Sequence, residues 1–306
     1  MILPQENSAL AAEEAAPYSS TPEPASAQTT PAEVASCLDS VKKIRTVHLA
    51  QAKERGEKFS MLTCYDYLTA QIFDEAGIEV LLIGDSAGNN VLGHESTLSI
   101  TVDQLIPLVA AVAAGSRRAL VLADLPFGSY QASPSQAVET ATRFMKEGGA
   151  HAVKMEASAY YAEHVRAVVK AGIPVMAHIG FTPQSEHALG GFRVQGRGDS
   201  AAKIKDDAAA LVEAGAFSLL LEMTTSSVAA EIEAEFDVPT VGIGAGGATT
   251  GQVLVWQDAF GLRKGKKPRF VKEYADLHTV LFEGARAYRS EVLSGVYPAA
   301  EHTFES

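Results

Sequence analysis

The strongest constraint in this sequence is a rhythm of short apolar runs. Eight occur, at Phe59–Tyr67, Glu79–Ser86, Ala119–Phe127, His151–Glu156, Ile173–Gly180, Phe217–Met223, Pro239–Gly246 and Gln252–Trp256. Most positions within each run are apolar. A strand with one wet face alternates apolar and polar side chains, whereas a parallel strand buried on both faces does not. The runs therefore read as parallel strands of an α/β fold. Helix-like stretches separate them, and four of these end alike: Glu75-Ala76-Gly77, Lys146-Glu147-Gly148-Gly149, Lys170-Ala171-Gly172 and Glu213-Ala214-Gly215. Glycine just past a last helical turn adopts the left-handed conformation without a Cβ clash, so each glycine is a helix stop. Eight strands over about 200 residues, most followed by helices, predict a (β/α)8 TIM barrel. An open doubly wound sheet is the alternative, and the lack of a GxGxxG fingerprint after the first strands weighs against it.

The first 36 residues have a different texture. They hold nine alanines and five prolines and sustain no apolar period, so they are expected to be a disordered tail. A single catalytic barrel domain is expected over residues 40–306, entered through an amphipathic helix at Val41–Lys58. The formal net charge is −12, and half of it comes from six acidic residues up to Asp39, where no basic residue occurs. Without a basic stripe, neither nucleic acid nor an anionic membrane is an expected partner. The longest apolar run, Leu105–Ala114, has ten residues and contains Pro107. A membrane span needs about 20. Cys37 and Cys64 are the only cysteines and lie in no metal-binding spacing. With no secretory signal ahead of Lys42, the expected compartment is the cytoplasm.

The expected strands end in chemistry. Asp85 and Ser86 follow the second run, and Asp124 ends the core of the third. Lys154 and Glu156 stand two apart on the fourth and so share a face. His178 lies on the fifth and Glu222 on the sixth. In a barrel these ends converge on the face where active sites form. Four carboxylates gathered there repel one another and need positive charge. Lys154 supplies one unit, and oxygen-only ligands favour Mg²⁺ for the rest. A metal between carboxylates polarises a carbonyl and acidifies the neighbouring carbon. Glu222, from the opposite arc, is the natural base; the bland reading of it is a salt bridge to Lys154. His178 divides evenly between substrate contact and structural residue. Cys64 lacks a nearby His partner and reads as a small buried residue. Gly242–Gly246 is either an anion-binding turn or a tight turn where a substrate passes close to the backbone. Gly190–Gly198, with two arginines, reads as a lid or an ordinary surface loop.

Taken in order, Leu62-Thr63-Cys64-Tyr65-Asp66-Tyr67, Gly84-Asp85-Ser86, Ala123-Asp124-Leu125-Pro126-Phe127, Val153-Lys154-Met155-Glu156, His178-Ile179-Gly180-Phe181-Thr182-Pro183-Gln184-Ser185, Val194-Gln195-Gly196-Arg197 and Gly242-Ile243-Gly244-Ala245-Gly246 resemble the ketopantoate hydroxymethyltransferase family. Ser294-Gly295-Val296-Tyr297-Pro298 extends the resemblance to the C-terminal region. It implies transfer of a one-carbon unit from 5,10-methylenetetrahydrofolate to 3-methyl-2-oxobutanoate, giving 2-dehydropantoate for pantothenate synthesis. It further implies that Asp85 and Asp124 bind Mg²⁺, with Glu156 in the same shell, directly or through water. Asp85, Ser86, Asp124 and Lys154 would contact the keto acid, and Glu222 would accept the proton. Cytoplasmic homo-oligomers, typically decamers, are implied as well. Two departures stand out: Ala177 where the family usually has Gly, and Ala87-Gly88-Asn89-Asn90 after the Asp-Ser pair.

The competing enzymatic reading is a Mg²⁺-dependent 2-oxo acid lyase or mutase on the same barrel. The non-enzymatic one is a scaffold with a partner-binding tail. On the sequence alone, Asp124→Ala is expected to remove Mg²⁺ dependence and activity and to leave the fold largely intact.

Overall fold

A computed structural model describes residues 36–304. Eight parallel strands close into a barrel in chain order. They are β1 (Phe59–Thr63), β2 (Val80–Ile83), β3 (Leu120–Asp124), β4 (Ala152–Glu156), β5 (Val175–Gly180), β6 (Ser218–Glu222), β7 (Thr240–Ile243) and β8 (Gly251–Leu254). Seven lie within the apolar runs, and β8 starts at Gly251, one residue ahead of the eighth run. Pairing of β8 with β1, in register at Met61 and Val253, completes the closure. The tail expected over residues 1–36 lies, apart from Ser36, outside the described residues.

The main helices are α1 (Thr46–Glu54), α2 (Tyr67–Glu75), α3 (Val102–Gly115), α4 (Pro134–Lys146), α5 (Ala162–Lys170), α6 (Ser200–Glu213), α7 (Ser226–Glu235) and α8 (Leu277–Ser294). Helices α2 to α7 connect successive strands from β1 to β7. Side chains cap three of these starts, at Asp66, Thr101 and Ser133. Four of them stop where the glycines predicted: Gly77, Gly149, Gly172 and Gly215 all have φ between +71° and +99°.

Two apolar layers result. Alternate strand residues such as Val80, Leu82, Leu120, Leu122, Met176, Leu220, Val241 and Val253 fill the barrel interior. Their neighbours, such as Leu81, Ile83, Val121, Val153, Val175, Leu219 and Leu221, pack outward against the helices. This two-sided burial is why the runs are continuously apolar. The segment before β1 adds Leu38, Ile44, Leu49 and Ala52 to the interior cluster.

That anchoring shortens the helix expected at Val41–Lys58. Ile44 is buried, and its N–H donates to the Arg118 carbonyl at 2.8 Å. Lys43 Nζ donates to the Ala119 carbonyl at 3.1 Å. These tertiary contacts hold residues 41–45 out of the helix, which begins only at Thr46. The C-terminal helix is different again. None of the residues of α8 is buried, and Val280, Leu281, Phe282, Tyr288 and Leu293 are all exposed.

Candidate active site

Period-two geometry builds the site directly on the strands. The inward rows run Leu120, Leu122, Asp124 on β3; Ala152, Lys154, Glu156 on β4; Met176, His178, Gly180 on β5; and Leu220, Glu222 on β6. Each row is apolar or small at its start. On β3, β4 and β6 it is charged at its C-terminal end, and β5 contributes His178. Register places Asp124 beside Lys154 and Glu156 beside His178 on adjacent strands. Asp85 arrives through Gly84, just beyond β2. Asp85, Asp124, Lys154, Glu156 and His178 are each no more than 5% exposed. The Glu222 side chain keeps 17% of its surface open.

The contacts form one connected group. Lys154 Nζ lies 2.9 Å from Asp124 Oδ1 and 3.2 Å from His178 Nδ1. Asp124 Oδ2 accepts the Asp85 backbone N–H at 2.9 Å. His178 Nε2 stands 3.4 Å from Glu222 Oε2, and its Nδ1 stands 3.7 Å from Glu156 Oε1. Ser86 Oγ lies 2.8 Å from the Tyr65 hydroxyl. All six residues predicted to act, and His178 with them, are therefore brought to one end of the barrel. Lys154 directs its ammonium to Asp124 and His178, and its charge also acts on Glu222.

Sequence reasoning missed Gln184. Its side-chain amide donates to Asp85 Oδ2 at 2.9 Å, and its backbone N–H donates to Glu156 Oε2 at 2.9 Å. The Tyr130 hydroxyl lies 2.8 Å from Gln184 Oε1 and from the Glu156 carbonyl. Neither residue lies on a strand, so no periodicity pointed to them. Gln184 stood only inside a quoted motif. A cavity of about 300 Å³ adjoins the cluster at Glu156 and Gln184, with Phe127, Tyr130 and Tyr161 in its wall.

Electrostatics bear on the metal question. Burial, then Asp124, pushes the Asp85 carboxyl up to about 7. Burial, then Asp85, pushes Glu156 well above the usual range. Burial pushes Glu222 up to about 7, while Lys154 pulls it down. Burial opposes the charge on Lys154, but Asp124, Asp85 and Glu156 outweigh it and hold the ammonium charged. One lysine thus faces more negative charge than it can balance. Asp124 Oδ1 is buried, with the Lys154 ammonium at 2.9 Å as its ion-pair partner. This donor set fits a hard divalent cation. Among the described residues no three such side chains already converge as a cage. Mg²⁺ usually takes only one or two carboxylates, with water and substrate oxygens filling its shell.

A stability prediction follows. A carboxyl with a raised native pKa binds more protons folded than unfolded. Its contribution is present below the unfolded value near 4 and is lost as pH rises through about 7. The metal-free protein is expected to melt lower at pH 8 than at pH 5, and Mg²⁺ to raise the midpoint more at pH 8. Thermal melts at both pH values, with and without Mg²⁺, check this.

Gly180 is required by close approach. It has φ +90°, and a Cβ there would lie 2.4 Å from both the Glu222 carbonyl oxygen and Thr224 Oγ1. The next residue after Glu222, Met223, is a non-glycine residue at φ +44°. Gly180→Ala is expected to displace the Glu222 turn, destabilising the fold by about 1–3 kcal/mol and lowering activity at least tenfold (about 1.4 kcal/mol of barrel-top misplacement). Thermal melts and turnover of the variant measure the two effects.

The family profile described as ketopantoate hydroxymethyltransferase matches residues 43–300. The chain belongs to the ketopantoate hydroxymethyltransferase family. A 3-methyl-2-oxobutanoate hydroxymethyltransferase of Arthrobacter sp. is 61% identical over 298 residues, covering 97% of this chain and 98% of that protein. The enzyme of the same name from Paenarthrobacter aurescens is 63% identical, covering 86% and 88%. Among solved structures, phosphonopyruvate hydrolase superposes with a TM-score of 0.56 at 13% identity, covering 86% of this chain and 92% of that one. A 2,3-dimethylmalate lyase of the PEP mutase/isocitrate lyase superfamily gives 0.53 at 16% identity, covering 85% and 91%. At such identities these two share the fold alone.

Other features of this family member separate into packing and site. Ala177, one of the departures, is fully buried in the outer apolar layer and touches helix packing rather than the charged end. Cys64 is fully buried, and burial pushes its thiol up to about 11, which suits a packing residue. In Gly242–Gly246 the close approach comes from side chains: a Cβ on Gly244 or Gly246 would meet Phe270 or Ser226 at 2.7 Å. The loop at 190–198 is strapped at Gln195, whose N–H donates to the Met223 carbonyl at 2.8 Å and whose carbonyl accepts from Thr225 at 3.0 Å. It thereby runs directly beside Glu222. Among the described residues no helix is long and apolar enough to cross a membrane.

Proposed function

We propose that the protein transfers a hydroxymethyl unit from 5,10-methylenetetrahydrofolate to 3-methyl-2-oxobutanoate, giving 2-dehydropantoate for pantothenate and coenzyme A synthesis. The observation that carries this reading is a base, Glu222, facing two aspartates and a lysine across one barrel mouth, in a chain of this family.

Asp85 and Asp124 would hold Mg²⁺, with Glu156 completing the site directly or through water. Bound there, Mg²⁺ supplies the positive charge that makes the carbon next to the keto group acidic. Lys154 offers its ammonium to the keto acid, and Ser86 offers a hydroxyl held by Tyr65. Glu222 removes the proton from the carbon next to the carbonyl. Water breaks both C–N bonds to the donor's one-carbon unit, releasing tetrahydrofolate and leaving that carbon at the formaldehyde level with the oxygen of the product's hydroxyl. The substrate carbanion forms its C–C bond to this carbon, and the proton held by Glu222 returns to the new alkoxide. The cavity beside Glu156 offers room and aromatic surface for the donor's flat ring.

The protein is placed in the cytoplasm, in keeping with two free cysteines. It is also read as a homo-oligomer, a decamer by family likeness. The apolar residues of α8, all uncovered in the single chain, support association with further copies. The deciding experiment is product analysis with both substrates and Mg²⁺. Formation of 2-dehydropantoate is expected, and its absence with active donor present would overturn the reading.

A further inference from the structure

The established likeness leaves His178 without a role, although it sits between the lysine and the base. We propose that His178 is a positioning residue that presents an Nε2–H to Glu222, in a tautomer imposed by Lys154.

A lysine ammonium has hydrogens to give and no lone pair to receive. Lys154 Nζ lies 3.2 Å from His178 Nδ1, so Nδ1 must be the acceptor. The ring's proton then resides on Nε2. Burial, reinforced by the Lys154 charge, pushes the His178 pKa well below its usual value, which keeps the ring neutral. Nε2 is buried and completes no hydrogen bond in the resting geometry. Glu222 Oε2 stands 3.4 Å away, a few tenths of an ångström beyond ordinary contact. The other charged groups facing the ring are Lys154 and Glu156 from β4 and Asp124 from β3. The Phe181 carbonyl competes for the ring's hydrogen. An ionised carboxylate outcompetes a neutral carbonyl, because charge-assisted hydrogen bonds are roughly twice as strong.

The consequence is a line of contact, Asp124–Lys154–His178–Glu222, that joins a proposed metal carboxylate to the proposed base across three adjacent strand pairs. A donated hydrogen favours the ionised carboxylate and fixes which oxygen faces the substrate. The tautomer stands on geometry alone, whereas its catalytic effect rests on the function proposed above.

Two variants separate the ring's edges. Glutamine at 178 puts an amide near the Nε2 position and retains a donor for Glu222. Asparagine puts its amide near Nδ1 and reaches only Lys154. The rate read is exchange of the 3-position proton of 3-methyl-2-oxobutanoate in deuterated buffer with Mg²⁺ and no folate. His178→Asn is expected to lower kcat for exchange about 10²-fold, with KM changed by less than about threefold. Its rising pH limb should move to higher pH, since Glu222 loses a group that favours its charge. His178→Gln should recover to within about tenfold of the parent enzyme. Nitrogen-15 NMR of the unsubstituted protein should show His178 with Nδ1 bare and Nε2 protonated. An Nδ1–H tautomer, or equal rates in all three proteins, overturns the proposal. Equal loss in both variants does so too. Should neither variant fold, the NMR measurement decides. No exchange in the unsubstituted protein, with the expected tautomer observed, would instead count against the proposed reaction.

Discussion

Glu222→Gln is expected to lower exchange of the substrate's 3-position proton by about 10²–10⁴-fold, the range of general-base help. The amide is nearly the same shape as the carboxyl and cannot take a proton. It keeps an oxygen toward His178, so the barrel mouth should hold its geometry. The loss should appear in kcat rather than KM, because Glu222 acts on the transition state and not on anchoring the acid. The pH profile of the parent enzyme carries the same signature. Burial holds Glu222 up to about 7. A base must be ionised to act, so exchange should fall as pH drops below about 7, and this rising limb should vanish in the variant. Exchange in deuterated buffer, followed by proton NMR across pH, reads both effects. Unchanged exchange in Glu222→Gln would remove it as the base.

Asp124→Asn should cut Mg²⁺ affinity by at least about tenfold and turnover with it, measured by titration calorimetry and product formation. Asparagine preserves an oxygen for the Asp85 N–H, which donates to Asp124 Oδ2 at 2.9 Å. It removes the charge a cation needs. The structure adds a consequence to the alanine variant that the sequence did not reveal. Asp124 lies 2.9 Å from the buried Lys154 ammonium. Breaking a buried ion pair from one side destabilises by about 3–5 kcal/mol. Asp85 and Glu156 also favour the ammonium and soften this loss. Both Asp124→Ala and Asp124→Asn are therefore expected to melt lower than the parent protein when metal-free. Mg²⁺ affinity unaltered in the asparagine variant would count against Asp124 as a ligand.

Phosphonopyruvate hydrolase and a 2,3-dimethylmalate lyase share the barrel. At 13–16% identity these likenesses show the fold alone and do not separate a transferase from a lyase or mutase. The family match runs through residues 43–300 and favours the transferase.

The barrel was written in local sequence. Eight continuous apolar runs demanded strands covered on both faces, and glycines 77, 149, 172 and 215 marked helix ends because only glycine takes φ > 0 without strain. Strand periodicity also carried most of the site. Polar residues at C-terminal strand ends, two apart on β4, had to share the barrel mouth once the sheet closed. What periodicity could not supply was anything held by contacts between distant segments. Ile44 stays out of helix α1 because Arg118 holds its backbone. Gln184 reaches Asp85 and Glu156 from a three-residue 3-10 turn, Pro183–Ser185, too short for a repeating pattern to show in the sequence. The tautomer of His178 depends on which atom Lys154 faces, a matter of a few tenths of an ångström between strands. Composition and spacing set which residues could meet. Only the closed barrel decided which atoms do, because hydrogen bonds and charge pairs depend on distances that a linear chain does not contain.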